Sequence, residues 1–118
     1  MMGLKLKNNA ASALAASLAA GETLVSVLAG HGARFPVLTA GDWYPLAVQN
    51  AAGAIEYMRA TGRAGDVMTV VRGQESSVAL NFEAGDLVFL PLTVGALNAL
   101  GVIGADVAIS VDDATVTA

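Results

Sequence analysis

The tripeptide Ala-Gly-Asp occurs three times in this chain, at residues 40–42, 64–66 and 84–86. Each copy stands directly before a run of β-forming residues, at 43–48, 67–71 and 87–90. Glycine adopts a positive φ without a Cβ clash, and aspartate accepts hydrogen bonds from nearby backbone, so the pair is typical of a turn. A turn repeated before each apolar run predicts a small antiparallel β fold.

The spacing of the turn glycines indicates the size of this fold. Five of them recur at intervals of 12 or 20 residues, at positions 21, 41, 53, 65 and 85. Spacing of this order is typical of an all-β antiparallel barrel or sandwich of about six to eight strands. We therefore predict a single β domain over residues 10–118.

Residues 1–9 are predicted to form an N-terminal arm. Leu4 and Leu6 alternate with Lys5 and Lys7, which is the period-2 pattern of an edge strand or a docking strand. Such an arm can bind a partner by adding a strand to an exposed sheet edge. Leu4 and Leu6 are accordingly candidate partner-binding residues.

Three segments carry more specific expectations. Residues 10–20 are Ala-rich, which favours a helix. Leu14 and Leu18, however, are four residues apart and would also lie on one face of a strand, so the segment is either a helix or a strand. Residues 23–28 are predicted as a strand with Leu24 and Leu28 in the core. Residues 87–93 are apolar at both odd and even positions, which predicts a strand that is covered on both faces. A helical turn is predicted at 96–100 and a further strand at 107–111.

Neither membrane association nor secretion is expected. The segment 87–105 contains no charged residue, but Pro91 and several glycines interrupt it, and Asp86 and Asp106 flank it without basic or Trp anchors. The Ala-rich stretch after Lys7 imitates a signal peptide, but it contains asparagine and serine and is only weakly apolar.

The composition limits the classes of function. The 118 residues include no cysteine, so Cys-based zinc sites, disulfides and Cys nucleophiles are excluded. The formal net charge is -4, and an acidic chain gains no affinity for nucleic acid from counterion release. No nucleic-acid partner is therefore expected. Apolar residues make up 55% and charged residues 14% of the chain, which indicates burial against copies of itself or partners.

Catalytic and cofactor-binding patterns were sought among the polar residues. His31, the single histidine, lies between two glycines, with Ser26 upstream and no nucleophile-elbow pattern, which favours an exposed loop histidine over a catalytic base. The turn aspartates Asp42, Asp66 and Asp86 are predicted to brace turns. We expect no catalytic residue, no metal site and no cofactor, and hence no enzyme.

Four further residues are candidates for partner binding. Trp43 and Tyr44 follow the first turn, where one ring is expected in the core and the other at an interface. Alternatively, the two rings contact a glycan. Arg72 and Glu75 are predicted to form a local ion pair that braces the loop between them, or else to contact another subunit.

Several short blocks occur in a characteristic order between residues 8 and 97. The most specific is Thr69-Val70-Val71-Arg72-Gly73-Gln74-Glu75. The accompanying blocks are Asn8-Asn9-Ala10-Ala11, Gly32-Ala33-Arg34-Phe35-Pro36, Gly41-Asp42, Ile55-Glu56, Thr61, Gly65-Asp66, Phe82, Gly85-Asp86 and Leu92-Thr93. Together they resemble a module of tailed-bacteriophage virion proteins, notably at the N-terminal end of tail fibres. The chain departs from that module at Ser76-Ser77, where Gly-Thr is usual, and at Pro91, where a basic residue is usual.

The resemblance implies a non-enzymatic virion structural protein that attaches to other virion proteins. It would act as head decoration or cement, or as a neck or tail-fibre adaptor, and its location would be the virion. Because the chain ends one predicted strand beyond the module, we expect a free-standing attachment module. By analogy we expect a homo-oligomer, with a trimer as one form. The alternative is a host-recognition β domain that binds a glycan or receptor through Trp43 and Tyr44.

Overall fold

The computed structural model describes residues 3–5, 7, 10–99, 108–111 and 114–117. Nearly all of its regular structure is β, with one 3-10 turn at His31–Arg34 and one six-residue helix, α1, at Val94–Ala99. The strands are β1 (Gly3–Leu4), β2 (Ala11–Ala13), β3 (Leu24–Ser26), β4 (Asp42–Gln49), β5 (Ile55–Ala64), β6 (Val67–Gln74), β7 (Leu87–Phe89), β8 (Ala108–Val111) and β9 (Ala114–Thr117).

Six antiparallel strands form a curled, barrel-like sheet in the order β2-β7-β4-β5-β6-β3. The two ends of this order meet, because Leu14 forms a bridge with Val27 just beyond β2 and β3. Ala15 N–H donates to the Ser26 carbonyl at 2.8 Å and Leu28 N–H to the Ala13 carbonyl at 3.2 Å. The predicted all-β barrel class is therefore confirmed.

The three Ala-Gly-Asp copies form the turns before β4, β6 and β7. Their glycines have φ values of 87°, 61° and 95°, a region that side chains with a Cβ rarely adopt. Asp42 accepts the Thr39 N–H at 3.1 Å, and Asp86 accepts the Glu83 N–H at 2.9 Å, so each closes its own turn. Asp66 instead accepts N–H groups from a distant loop, Gly30 and Gly32.

The ambiguous segment 10–20 is extended, not helical. β2 pairs with β7, and Leu18 forms a bridge with Phe82. Leu14 and Leu18 are both buried, as expected for two even-numbered positions on the same face of an extended segment. Tertiary pairing with β7 overrides the helical propensity of the alanines.

The core assignment for β3 was wrong by one residue. Leu24 and Leu28 are 57% and 40% exposed, whereas Val25 and Val27 are buried. Side chains alternate between the two faces of a strand, so pairing Val25 with Met68 of β6 puts the even-numbered positions outside. The register of the pairing decides which face of β3 is buried.

The expected strand at 87–93 is shorter than its apolar run. β7 ends at Phe89, and Pro91 lacks the N–H needed to continue the ladder. Val88 faces the core, but Leu87 is 44% exposed, so burial on both faces was also wrong. Within the described ranges, no helix combines the length and apolar character required to cross a bilayer.

A second layer covers the outer face of β4. Tyr44, Leu46 and Val48 point into the barrel core, so Trp43 and Ala47 lie on the opposite face of the strand, where both are still buried. Helix α1 packs against β4 and contributes the fully buried Ala96.

The C-terminal strands form their own antiparallel hairpin. In it, β8 pairs with β9 from Ala108↔Thr117 to Val111↔Ala114. The strand expected at 107–111 is present from Ala108, and Val107 lies outside the described residues.

Gly32 provides a test of the packing between the 3-10 turn and the β5–β6 turn. A Cβ at this position would lie 2.7 Å from the Gly65 carbonyl carbon and 2.8 Å from Asp66 Cα. We expect Gly32→Ala to lower the free energy of unfolding by about 2 kcal/mol or more, because backbone must move. Gly21→Ala is the matched control, since a Cβ there meets no heavy atom within 4 Å. Chemical denaturation of both variants measures the difference; equal stability would contradict the packing described.

Candidate functional site: the Glu56–Arg72 network and the adjoining turn

Glu56 of β5 and Arg72 of β6 form a buried, bidentate ion pair. Arg72 Nε donates to Glu56 Oε2 and Nη2 donates to Glu56 Oε1, both at 2.8 Å. The Glu56 side chain is fully buried and that of Arg72 is 8% exposed. The parallel fork geometry is the strong form of an arginine–carboxylate interaction.

Every N–H of the Arg72 guanidinium has an acceptor. Besides the two bonds to Glu56, Nη1 donates to the carbonyls of Ala19 and Glu22, each at 2.7 Å. The remaining Nη2 proton goes to the Leu80 carbonyl at 2.6 Å. A guanidinium has five donors, so its hydrogen-bonding capacity is fully used within this chain.

The Glu56 carboxylate is equally saturated. Beyond the two Arg72 bonds, it accepts the Gly73 N–H at Oε2 and the Leu80 N–H at Oε1, both at 2.8 Å. Burial by itself would raise the pKa of Glu56, but the bonds from Arg72, Leu80 and Gly73 outweigh it and hold the pKa below its usual value. The pair therefore remains ionised and cross-links β5, β6 and the segments around residues 19–22 and 80.

The ion pair expected between Arg72 and Glu75 is not formed. Arg72 points to Glu56, sixteen residues earlier in the chain, and not to the local carboxylate. The antiparallel pairing of β5 with β6 brings these two side chains together. Sequence reasoning named Glu56 only within a resemblance block and did not predict its pairing with Arg72, because that contact depends on strand register.

The turn after β6 has an unusual backbone. Glu75 and Ser76 have φ values of 53° and 67°, and the Ser77 N–H donates to the Gln74 carbonyl at 3.0 Å. Two consecutive positive φ values define a type I′ turn, which normally contains Asn-Gly. Holding two non-glycine residues in this region costs about 1–3 kcal/mol each.

Ser77 holds this strained turn in place. Its Oγ donates to the Gln74 carbonyl at 2.6 Å and accepts the Tyr57 N–H at 2.9 Å. These bonds tie the turn to β5. Ser77 therefore has a structural role in this turn.

The strained turn positions Glu75 over the beginning of α1. Glu75 Oε1 accepts the Gly95 N–H at 2.9 Å, and Thr93 Oγ1 accepts the Ala96 N–H at 3.1 Å. A Cβ at position 95 would lie 2.9 Å from the Glu75 carboxyl carbon, so a larger residue there would displace the carboxylate. Glu75 therefore links the barrel to the helix that covers β4.

A shallow cleft of about 330 Å³ lies beside this contact. Val94 and Leu92 on its rim are 65% and 37% exposed. Sequence reasoning named Leu92 only within a resemblance block and did not single out Val94, because their exposure follows from the position of the chain after Pro91. The cleft is lined by Tyr57, Glu75, Pro91, Leu92, Thr93 and Val94.

Trp43 and Tyr44 do not present an aromatic surface. Tyr44 is fully buried, with its ring 6.1 Å from that of Phe35, and burial raises its pKa. Trp43 is 4% exposed, and the Arg59 guanidinium stacks over it at 4.0 Å. The expectation that one ring is in the core is confirmed for Tyr44. Neither ring offers the exposed contact that interface or glycan binding requires.

The N-terminal arm pairs with its own domain. Gly3 and Leu4 form a parallel pair with Asp42 and Trp43, and the Lys5 N–H donates to the Trp43 carbonyl at 2.8 Å. Leu4 is half-buried, while Leu6 lies outside the described residues. The arm thus forms an edge strand on β4 of the same chain, and its docking on a partner stays a prediction.

His31 contacts a serine that sequence reasoning did not select. Its Nδ1 lies 2.8 Å from the Ser12 hydroxyl oxygen. The Asp66 carboxylate binds the backbone N–H groups of Gly30 and Gly32 at 3.1 and 2.8 Å, and no hydrogen bond joins it to the imidazole within the described part of the chain. This is not the serine–histidine–aspartate relay of a hydrolase, in which the acid orients the ring. Ser26 takes no part in the contact.

Metal-binding geometry was also considered. The described residues contain no group of three or more His, Asp or Glu side chains arranged to hold a metal ion.

Comparison with known proteins adds no family assignment. No protein-family model matches the chain, and no curated protein matches it significantly.

Replacing Arg72 tests the role of the network. Arg72→Met leaves the Glu56 carboxylate buried without its cation, and we expect a loss of about 3–5 kcal/mol in the free energy of unfolding. Arg59→Met is the matched control on the neighbouring strand, because the exposed Arg59 stacks on Trp43 and is expected to contribute about 0.5–1 kcal/mol. Urea denaturation at pH 7 compares the two; similar losses would contradict a dominant role for Arg72.

The acid dependence of stability provides a second test. The pKa of Glu56 is lowered from 4.5, and the N–H groups of Gly32 and Gly30 lower that of Asp66 from 3.8. A depressed folded-state pKa means that the unfolded chain binds protons first as the pH falls. Both contributions are fully present above pH 4.5 and are lost as the pH falls through each folded-state value. Unfolding measured from pH 7 to pH 3 should show this decline, and Asp66→Asn should reduce its slope; a flat profile would contradict it.

Proposed function

We propose that this chain is a non-enzymatic structural protein of a bacteriophage virion that attaches to other virion proteins. It serves as head decoration or cement, or as an adaptor at the neck or tail fibre. It acts as a homo-oligomer located in the virion.

One observation carries the proposal: the most specific resemblance block lies at one continuous structural feature. Glu56, Arg72 and Gly73 belong to a single saturated hydrogen-bond network. Glu75, from the same block, caps α1, which begins directly after Leu92-Thr93 of another block. The blocks thus describe one connected arrangement, which supports a shared module more strongly than unrelated short matches would.

The surface of the domain supports an attachment role. Val94, Val78 and Leu24 are 65%, 69% and 57% exposed. With only 14% charged residues in the chain, such side chains favour burial against another protein. Val94 is the best-placed of them, because it lies on the rim of the Glu75 cleft.

The position and copy number of the chain in purified phage particles test the proposal. Quantitative mass spectrometry measures the copy number, and antibody labelling in electron micrographs gives the position. Many copies over the shell indicate cement, whereas a few at one vertex indicate a neck or tail adaptor. Absence from purified particles would overturn the proposal.

A surface variant tests whether the Glu75 cleft is used for attachment. We expect Val94→Lys to reduce incorporation at least tenfold with the unfolding midpoint unchanged, because it charges an exposed apolar contact. Val37→Lys is the matched control, since Val37 is 70% exposed in a loop outside the residues that line the cleft. Equal incorporation of both variants would exclude the cleft as the attachment surface while leaving the virion assignment to the particle analysis.

A further inference from the structure

One edge of β4 is covered by two different segments. β7 pairs with residues 47–49, and the ladder ends where Pro91 removes an N–H donor. Nearer its start, the same edge is paired by β1, through Gly3↔Asp42 and Leu4↔Trp43. The N-terminal arm therefore completes an edge that the barrel strands leave open.

The described residues of the arm are held on this edge by a short ladder and by exposed side chains. Beyond the two-residue ladder, the Lys5 N–H donates to the Trp43 carbonyl, and Lys7 Nζ donates to the Ala33 carbonyl at 2.8 Å. Lys5 Nζ lies 4.0 Å from Asp42 Oδ2, and the Lys5 side chain is 48% exposed. An ion pair of this kind contributes about 0–1 kcal/mol, and short ladders of this type are among the contacts that open most readily.

The charge distribution is complementary between the arm and the rest of the chain. Both lysines of the protein, Lys5 and Lys7, are in the arm. The rest of the chain carries the other four basic residues, all arginines, and all ten acidic residues. Its formal net charge is therefore four minus ten, or -6. A cationic arm is therefore attracted to the body of any copy, its own or a neighbour's.

We infer that the arm is exchangeable between copies: β1 of one chain pairs with the Asp42–Trp43 edge of another. The contacts made between chains are the same as those within one chain, so exchange loses no bonding and costs association entropy. High local concentration in an assembly offsets that cost. The inference rests on the homo-oligomeric part of the proposed function and identifies the surface that joins the copies.

The absence of cysteine from the sequence allows a direct cross-linking test. Gly3→Cys is placed on one chain and Asp42→Cys on another, because these two residues are direct partners in the β1–β4 register, and the two chains are refolded together and then oxidised. Exchange is expected to give a disulfide-linked heterodimer between positions 3 and 42, identified by non-reducing electrophoresis and peptide mass spectrometry. In the control mixture, Ala52→Cys replaces Asp42→Cys, because Ala52 is exposed in the loop after β4, away from the arm.

A chain carrying both Gly3→Cys and Asp42→Cys reports the arrangement within one molecule. Heterodimer in the first mixture at least five times above the Ala52 control supports exchange. If this double variant closes its own disulfide while the mixture stays monomeric, the arm is fixed in its own chain and the inference is overturned. Failure of both cross-links, or equal cross-linking to Ala52→Cys, also overturns it. Incorporation of the internally cross-linked double variant into particles is measured separately. If this variant is incorporated, the protein has a role in the virion that does not depend on exchange of the arm.

Discussion

The buried pair of Glu56 and Arg72 is the interaction on which the remaining architecture depends. A carboxylate and a guanidinium can be removed from water only when their hydrogen-bonding capacity is met, because unpaired buried charge is costly. Here four acceptor positions and five donors are all satisfied by β5, β6 and two connecting segments. The network therefore joins these four pieces of chain at one buried point.

The Ala-Gly-Asp turns around the barrel also use carboxylates to satisfy polar groups of the backbone. Asp42 and Asp86 satisfy the backbone of their own turns, whereas Asp66 reaches across to the loop at residues 30–32. That contact requires Gly32 to approach the Gly65–Asp66 backbone closely. The same tripeptide thus serves two purposes, local closure and long-range cross-linking.

The outer layer connects this scaffold to the surface. The type I′ turn at Glu75 and Ser76 extends directly from the Arg72-Gly73 end of β6 and places a carboxylate on α1. Helix α1 in turn covers the outward side of β4, where Trp43 and Ala47 are buried. An exposed apolar rim at Leu92 and Val94 results, so the residues that stabilise the barrel also position the surface proposed for attachment.

The sequence by itself determined the all-β class, the positions of the turns and the local bracing role of Asp42 and Asp86, because glycine φ preferences and Asp side-chain acceptors act within a few residues. Tertiary structure decided what depends on register and distant pairing. It placed Val25 inside and Leu24 outside, paired residues 11–13 with β7, and paired Arg72 with Glu56 instead of Glu75. It also buried the ring of Trp43, since α1 and Arg59 cover a face of β4 that strand periodicity alone assigns to solvent.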